Sequence, residues 1–274
     1  YALSSDTKKI VLWEISTGKE HRTLSGHSKS IYSICLSPDG KYILSGSWDN
    51  TLKLWEISSG HLVKTFTGHR EDVLSVCFSP DGKYAISGSE DYSIKLWEIS
   101  TGNLVKTFLG HSNEVNSVSF SPDGKKIISC SKDKSIKLWN VNSEAEIVSL
   151  YTYFKDWLAV TPDLYFDCSN NGSKSVSMVV NNHSYNIDQF ALKNNRPDII
   201  LQRIENTDVA LIQYYNNLYK KRLRKSGFTE EQLTSEIQIP VATILNVKHD
   251  GKFVTVNFNL SDEKYKLKKY NIYV

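Results

Sequence analysis

The sequence predicts a mainly β fold of four-stranded antiparallel units that repeat every 42 residues, followed by a helical segment and a second, smaller β region. Three observations carry that expectation. Gly-His pairs stand at Gly26-His27, Gly68-His69 and Gly110-His111, Ser-Pro-Asp-Gly turns at 37–40, 79–82 and 121–124, and tryptophans at 13, 55, 97 and 139. A unit of this size cannot bury both of its faces alone, so each must stack on its neighbours.

Residues 26–67 show how one unit is built. Ser30 to Leu36 alternates, with Ile31, Ser33 and Cys35 on one side and Tyr32, Ile34 and Leu36 on the other, as an inner strand held between neighbours should. Ser37-Pro38-Asp39-Gly40 then reverses the chain, Pro38 presetting φ and Gly40 accepting the positive φ that closes the turn. Lys41 to Ser47 returns, Asp49-Asn50 turns again, Thr51 to Ile57 forms the third strand and His61 to Phe66 the outer one.

The polar residues keep the same step. They give His27, Ser45, Asp49 and Trp55; then His69, Ser87, Asp91 and Trp97; then His111, Ser129, Asp133 and Trp139. With the repeated turns and Gly-His pairs, this pattern resembles the WD-repeat β-propeller family, and the resemblance implies that the four residues form a hydrogen-bonded relay inside each blade. Such groups can satisfy one another where water is excluded. Ser47 and its equivalents are alternatives to Ser45 for the hydroxyl. Ser, His and Asp together also suggest a hydrolase, but a catalytic triad serves one active site and has no reason to recur at a fixed period. Trp is followed by Glu14, Glu56, Glu98 and Asn140 where the family has Asp, and Thr7 replaces the turn Asp of the first unit, which is therefore expected to lack its relay.

The resemblance covers residues 1–150 as a partial first unit and three full ones. A degenerate blade is expected over 151–186, because Thr161-Pro162-Asp163-Leu164 echoes the Ser-Pro-Asp-Gly turns, with strands at Trp157 to Val160, Tyr165 to Cys168 and Val176 to Val180. The chain opens on Tyr1 at a place equivalent to a later blade's second strand, so further blades are expected upstream.

Residues 187–234 read as a helical linker. Helices are expected at Asp188 to Lys193, Pro197 to Ile204 and Asp208 to Lys225, the last carrying a stripe of Val209, Ile212, Tyr215, Tyr219 and Leu223 and ending at Gly227. Thr229 and Gln232 have the spacing of a capping box for a short fourth helix. From 235 the pattern is again β, with strands at Ile237 to Val247, Lys252 to Leu260 and Leu267 to Val274, read as the opening strands of a truncated β-sandwich. Asp156-Trp157-Leu158-Ala159-Val160-Thr161-Pro162-Asp163, with Arg196-Pro197-Asp198, is similar to a region of bacterial proteins in which WD repeats precede a β-sandwich and a caspase-like peptidase domain. That likeness implies a downstream peptidase in the same polypeptide and places none of its catalytic residues here.

Composition narrows the function. The net charge of +3 is weak for a nucleic-acid binder, and the dense basic run Lys220, Lys221, Arg222, Arg224 and Lys225 sits where the helix dipole favours cations. Nucleic-acid binding through residues 220–225 is thus the weakest reading. No apolar stretch is long enough to span a membrane, and Cys35, Cys77, Cys130 and Cys168 show neither pairing nor metal spacing, which suits a cytoplasmic protein with neither cofactor nor metal. The fitting function is a non-catalytic interaction scaffold that binds a protein or peptide through its rim loops, with the regulatory arm of a peptidase as the alternative. The family resemblance places partner contacts just before the turn Asp and near the start of the first strand: Trp48, Glu90 and Lys132, with Ser30, Tyr32, Asp72, Leu74, Glu114 and Asn116. Aromatic anchors beside carboxylates suit a partner bearing basic residues.

Overall fold

The structure, a computed structural model, describes residues 1–180, 183–233, 241–250 and 253–261, in two units, 1–220 and 221–274. In the first unit, β1 (Ala2–Asp6), β2 (Lys9–Glu14) and β3 (Lys19–Ser25) form a three-stranded sheet. Two four-stranded meanders follow, β4 (Ile31–Leu36), β5 (Tyr42–Ser47), β6 (Thr51–Glu56) and β7 (Leu62–Thr67), then β8 (Val73–Phe78), β9 (Tyr84–Ser89), β10 (Ile94–Glu98) and β11 (Leu104–Phe108). The next blade comprises β12 (Val115–Phe120), β13 (Lys126–Ser131), β14 (Ser135–Asn140) and β15 (Glu146–Tyr153). All pairings are antiparallel, so the mainly β, four-stranded architecture expected from the repeat is the one observed.

The core lies between blades. Leu44, Leu52, Leu54 and Phe66 of one blade pack against Val73, Val76, Phe78, Ala85 and Trp97 of the next, and Ile86, Ile94, Leu96 and Phe108 meet Val115, Val118, Ile127 and Trp139 in the same way. Each large side chain buried there stabilises the stack by roughly 1.5–3 kcal/mol. Polar ties follow the same period. The Ser33 and Ser75 hydroxyls accept the Val76 and Val118 N–H groups of the following blade at 3.1 and 3.2 Å. Arg22 donates to Ile57 and Ser58 carbonyls, Lys64 to those of Ile99 and Ser100, and Lys106 to those of Val141 and Asn142. Gly60 and Gly102 lie beneath these cations at φ +77° and +82°, and a Cβ would stand 2.7 and 2.6 Å from the Arg22 and Lys64 Cδ atoms. Glu144 takes the same left-handed place at φ 60°.

The inner strands differ from simple alternation. Pairing skips a residue between Ile31 and Ser33, between Val73 and Ser75, and between Val115 and Ser117. Each skip is a β-bulge that reverses the alternation, so Val73, Val76 and Phe78 all face the core while Leu74 is turned outward, only half-buried. Ile31 with Ser33 and Cys35 therefore do not form one buried face. Cys35 is half-buried against the core, and burial pushes its thiol up to about 12.

The expected degenerate blade is not a separate sheet. β16 (Asp156–Val160) pairs with β15, and β17 (Phe166–Cys168) with β16, extending the preceding blade to six strands. The reason is local: β15 runs eight residues and turns tightly at Phe154, in the left-handed region at φ 53°, directly into β16. The expected third strand pairs elsewhere, β18 (Ser177–Val180) with β19 (His183–Asn186), after a 3-10 turn at Gly172–Ser175.

The segment expected as a linker docks on this sheet. The helix expected at 188–193 is a 3-10 turn, Ile187–Phe190, and one α-helical turn, α1 (Ala191–Asn194). Asn195 bridges Phe166, the Arg196 N–H donates to the Phe166 carbonyl at 2.9 Å, and Arg203 clasps Asp163 at 2.6 and 2.5 Å. From α2 (Pro197–Arg203), buried Asp198 accepts from the Arg196 guanidinium and from Asn216 of α3 (Val209–Ser226), and the guanidinium lies 3.8 Å from the Tyr219 ring centroid. Along the stripe of α3, Tyr219 is buried and Ile212 and Tyr215 are half-buried, but Val209 is exposed.

In the second unit, α3 ends at Gly227 (φ 75°), and Lys221, Arg224 and Lys225 are exposed. The expected fourth helix is a single 3-10 turn, Glu230–Gln232, where the Gln232 side chain accepts the Thr229 N–H at 2.8 Å. β20 (Val241–Asp250) and β21 (Phe253–Ser261) form an antiparallel hairpin. The strand expected at 267–274 lies outside the described residues.

Candidate functional site

Each full blade contains a chain of four hydrogen-bonded side chains. In the first, His27 Nδ1 lies 2.8 Å from Asp49 Oδ2 and His27 Nε2 2.7 Å from Ser45 Oγ, while the Trp55 indole donates to Ser45 Oγ at 2.9 Å. His69, Asp91, Ser87 and Trp97 repeat it, as do His111, Asp133, Ser129 and Trp139. An ionised carboxylate cannot donate, so Nδ1 carries the proton and Nε2 accepts from the serine, whose oxygen accepts from the indole. Ser45 is thus the relay hydroxyl. Ser47 instead donates to the Lys29 carbonyl and accepts the Asp49 N–H.

The electrostatics match that assignment. Burial holds His27, His69 and His111 below the usual histidine range, outweighing the opposing hydrogen bonds from the aspartates. Burial also works against charge on Asp49, but hydrogen bonds from Thr51, His27 and the Ser28 N–H outweigh it and hold the carboxyl at about 2. Asp91 and Asp133 are lowered by equivalent donors, against the same burial. The serine–histidine–aspartate distances resemble those of a triad, but Ser45, Ser87 and Ser129 are 0% exposed, leaving the hydroxyl without a path to a substrate. The geometry fastens the blade.

The first sheet keeps a remnant of this relay. It has no turn Asp, and Trp13 donates to Ser4 at 2.7 Å while remaining 36% exposed, against 1% or less for Trp55, Trp97 and Trp139. The residue after each Trp has a role that the sequence reading did not assign. Glu14, Glu56 and Glu98 accept the Thr17, Ser59 and Thr101 hydroxyls, and Asn140 accepts the N–H groups of Asn142 and Ser143. Both sets recur at the 42-residue step, which was the available signal.

Around the relays, the rim residues are brought together in pairs. The N–H groups of Trp48, Glu90 and Lys132 donate to the carbonyls of Ser30, Asp72 and Glu114, each at 2.9 Å. Tyr32, Leu74 and Asn116 are the bulged residues of the inner strands, which is why the strands present them outward. Tyr32 is 56% exposed and stacks on Trp48 with centroids 5.1 Å apart and planes at 21°. Partial burial raises Glu90, and the negative fields of Glu114 and Asp72 add to it. Asp72 is raised chiefly by burial, with Lys29 opposing. Glu114 pairs with Lys132, and that ion pair holds Lys132 above the usual lysine range while Glu90 and Tyr32 add to the shift. All nine of these rim residues are half-buried or exposed. No group of three or more His, Cys, Asp or Glu among the described residues could hold a metal ion, and no described helix is long and apolar enough to cross a membrane.

Comparison with known proteins adds a resemblance to this geometry. The WD domain, G-beta repeat family matches residues 18–56, 60–98 and 102–140, so the chain carries three WD repeats. The small ribosomal subunit protein RACK1 of Dictyostelium discoideum is 45% identical over 56 residues, covering 18% of this chain and 17% of the relative. RACK1 of Medicago sativa is 40% identical over 55 residues and that of Caenorhabditis elegans 36% over 59, each with about a sixth of its length covered. The relatives are eukaryotic and carry no support for the bacterial, peptidase-linked association implied by residues 156–274. The WD repeats and these relatives support a protein-interaction scaffold.

Proposed function

We propose that this chain is a non-catalytic, cytoplasmic scaffold whose WD blades bind a protein or peptide at Tyr32, Trp48, Asp72, Leu74, Glu90, Glu114, Asn116 and Lys132. One observation supports it above the rest: the rim residues differ from blade to blade on a backbone that repeats, so each blade presents a different side chain from the same place. The stacked Tyr32 and Trp48 offer a flat apolar anchor. Glu90 and Asp72, both raised chiefly by burial and with Glu90 also in the negative field of Asp72, gain most from a cationic side chain brought between them. The partner that fits is a segment bearing lysine or arginine beside an apolar or planar residue.

The test is an array of peptides of mixed charge, read with the purified chain and with a Trp48→Ala, Glu90→Lys double variant. Capture of lysine- and arginine-bearing peptides by the parent, lost in the variant at unchanged thermal stability, supports the assignment. Equal capture by both proteins places binding elsewhere. The peptidase-arm alternative carries no structural observation of its own.

A further inference from the structure

A cleft of about 630 Å3 opens between the β13–β14 turn and the β15–β16 hairpin, apart from the eight rim positions. Tyr151, Tyr153 and Trp157 line it with buried Leu158 and half-buried Val176, and Lys134 comes from the blade turn. The three rings are 37%, 62% and 38% exposed, so the fold leaves much of their apolar surface uncovered. The carboxylates that share the lining are engaged. Asp133 accepts from His111 and the Ser112 N–H on one oxygen and from the Ser135 N–H and hydroxyl on the other, and Asp156 accepts the Ser169 hydroxyl at 2.7 Å. The cations are available. The Lys134 and Lys155 side chains are exposed with no hydrogen-bond or ion-pair partner among the described residues, and the exposed Lys174 ammonium donates to the Asn171 side chain.

We infer that this cleft binds an acidic peptide segment through one large apolar or aromatic side chain, which enters among Tyr151, Trp157, Leu158 and Val176 while flanking carboxylates meet Lys134 and Lys155. Aromatic-lined recesses take such anchors, and the unpaired lysine side chains, beside aspartates whose oxygens are already hydrogen-bonded within the fold, favour an acidic ligand. Exposed rings and lysines also suit single-stranded nucleic acid. A recess floored by aliphatic Leu158 and Val176 favours one inserted side chain over a run of stacked bases.

Fluorescein-labelled Glu-Glu-Phe-Glu-Glu is the probe, with Lys-Lys-Phe-Lys-Lys, Glu-Glu-Gly-Glu-Glu and decathymidylate as comparators, read by fluorescence anisotropy on the whole chain. The acidic phenylalanine peptide should bind at least about tenfold tighter than each comparator, and Trp157→Ala should remove about tenfold of its affinity, a difference near 1.4 kcal/mol. Lys134→Glu should reverse the preference between acidic and basic peptides. Lys134 sits in the left-handed region at φ 68°, which asparagine tolerates better, so Lys134→Asn should weaken binding several-fold without lowering the melting temperature. Tighter binding of decathymidylate, equal binding of the glycine peptide, no measurable peptide binding, or unchanged affinity in Trp157→Ala and Lys134→Asn would each overturn the assignment.

Discussion

The relay and the rim are neighbours in sequence and opposites in behaviour. Asp49, Asp91 and Asp133 are the same residue in the same hydrogen bonds, whereas Trp48, Glu90 and Lys132, each one position earlier, share a backbone bond but present an aromatic, an anion and a cation. A position whose side chain closes a buried network has no alternative chemistry, because any unmatched group would be left unsatisfied. A position fastened only by its N–H can carry any side chain. The repeat therefore specifies a frame and leaves its rim to vary.

The sharpest break in that comparison is inside the relay. Trp97→Ala empties a fully buried site and leaves the Ser87 oxygen without its indole donor, so it should cost about 3–5 kcal/mol in urea unfolding. Trp13→Ala, at the partly exposed equivalent, should cost less than half as much; equal losses would show that burial between blades is not what distinguishes them. Next in size is Ser87→Ala, which strands His69 Nε2 and the Trp97 indole together and should cost about 2–4 kcal/mol.

Acid should loosen the relays in two stages. The folded histidines lie below the unfolded value near 6.5, so their contribution is complete above that pH and declines as pH falls toward their folded values, because the unfolded chain binds more protons there. The aspartates act next. Their unfolded forms protonate near 3.9, whereas folded Asp49 keeps its charge to about 2, so stability falls again between those values. Melting temperature measured from pH 7 down to 3 should drop in both windows, and a flat response from pH 7 to 5 would contradict a neutral buried imidazole. The smallest change is a gain at the rim: Tyr92, exposed and at φ 68° where Asn50 stands in the preceding blade, should yield up to about 1 kcal/mol on Tyr92→Asn.

What the sequence made legible follows the same division. The units, their turns and the choice of His, Ser, Asp and Trp repeat at 42 residues, and the structure assembles them as strands and relays. The bulges at Tyr32, Leu74 and Asn116 leave a three-residue step between apolar positions, as from Val73 to Val76 and from Val115 to Val118, but only pairing with β5, β9 and β13 identifies it as an extra residue. The interblade cations Arg22, Lys64 and Lys106 did recur, but lysine and arginine on an outer strand look like solvated charge until the carbonyls beyond them are placed. After residue 150 the spacing of Thr161-Pro162-Asp163 still echoed a blade, while strand pairing was decided by the short turn at Phe154 that carries β15 into β16. The cleft beside that hairpin joins residues more than forty positions apart in sequence, from Lys134 to Ser177, and no periodicity announces it.

The central claim is that the frame holds while the rim selects, and one paired measurement tests it. Binding of a lysine-bearing peptide captured from the array is titrated calorimetrically against the parent and the Trp48→Ala, Glu90→Lys variant, with thermal unfolding of both. The account predicts at least about a hundredfold loss of affinity, near 2.7 kcal/mol, and melting temperatures that agree closely. Retained affinity, or a variant that unfolds along with its loss of binding, would contradict it.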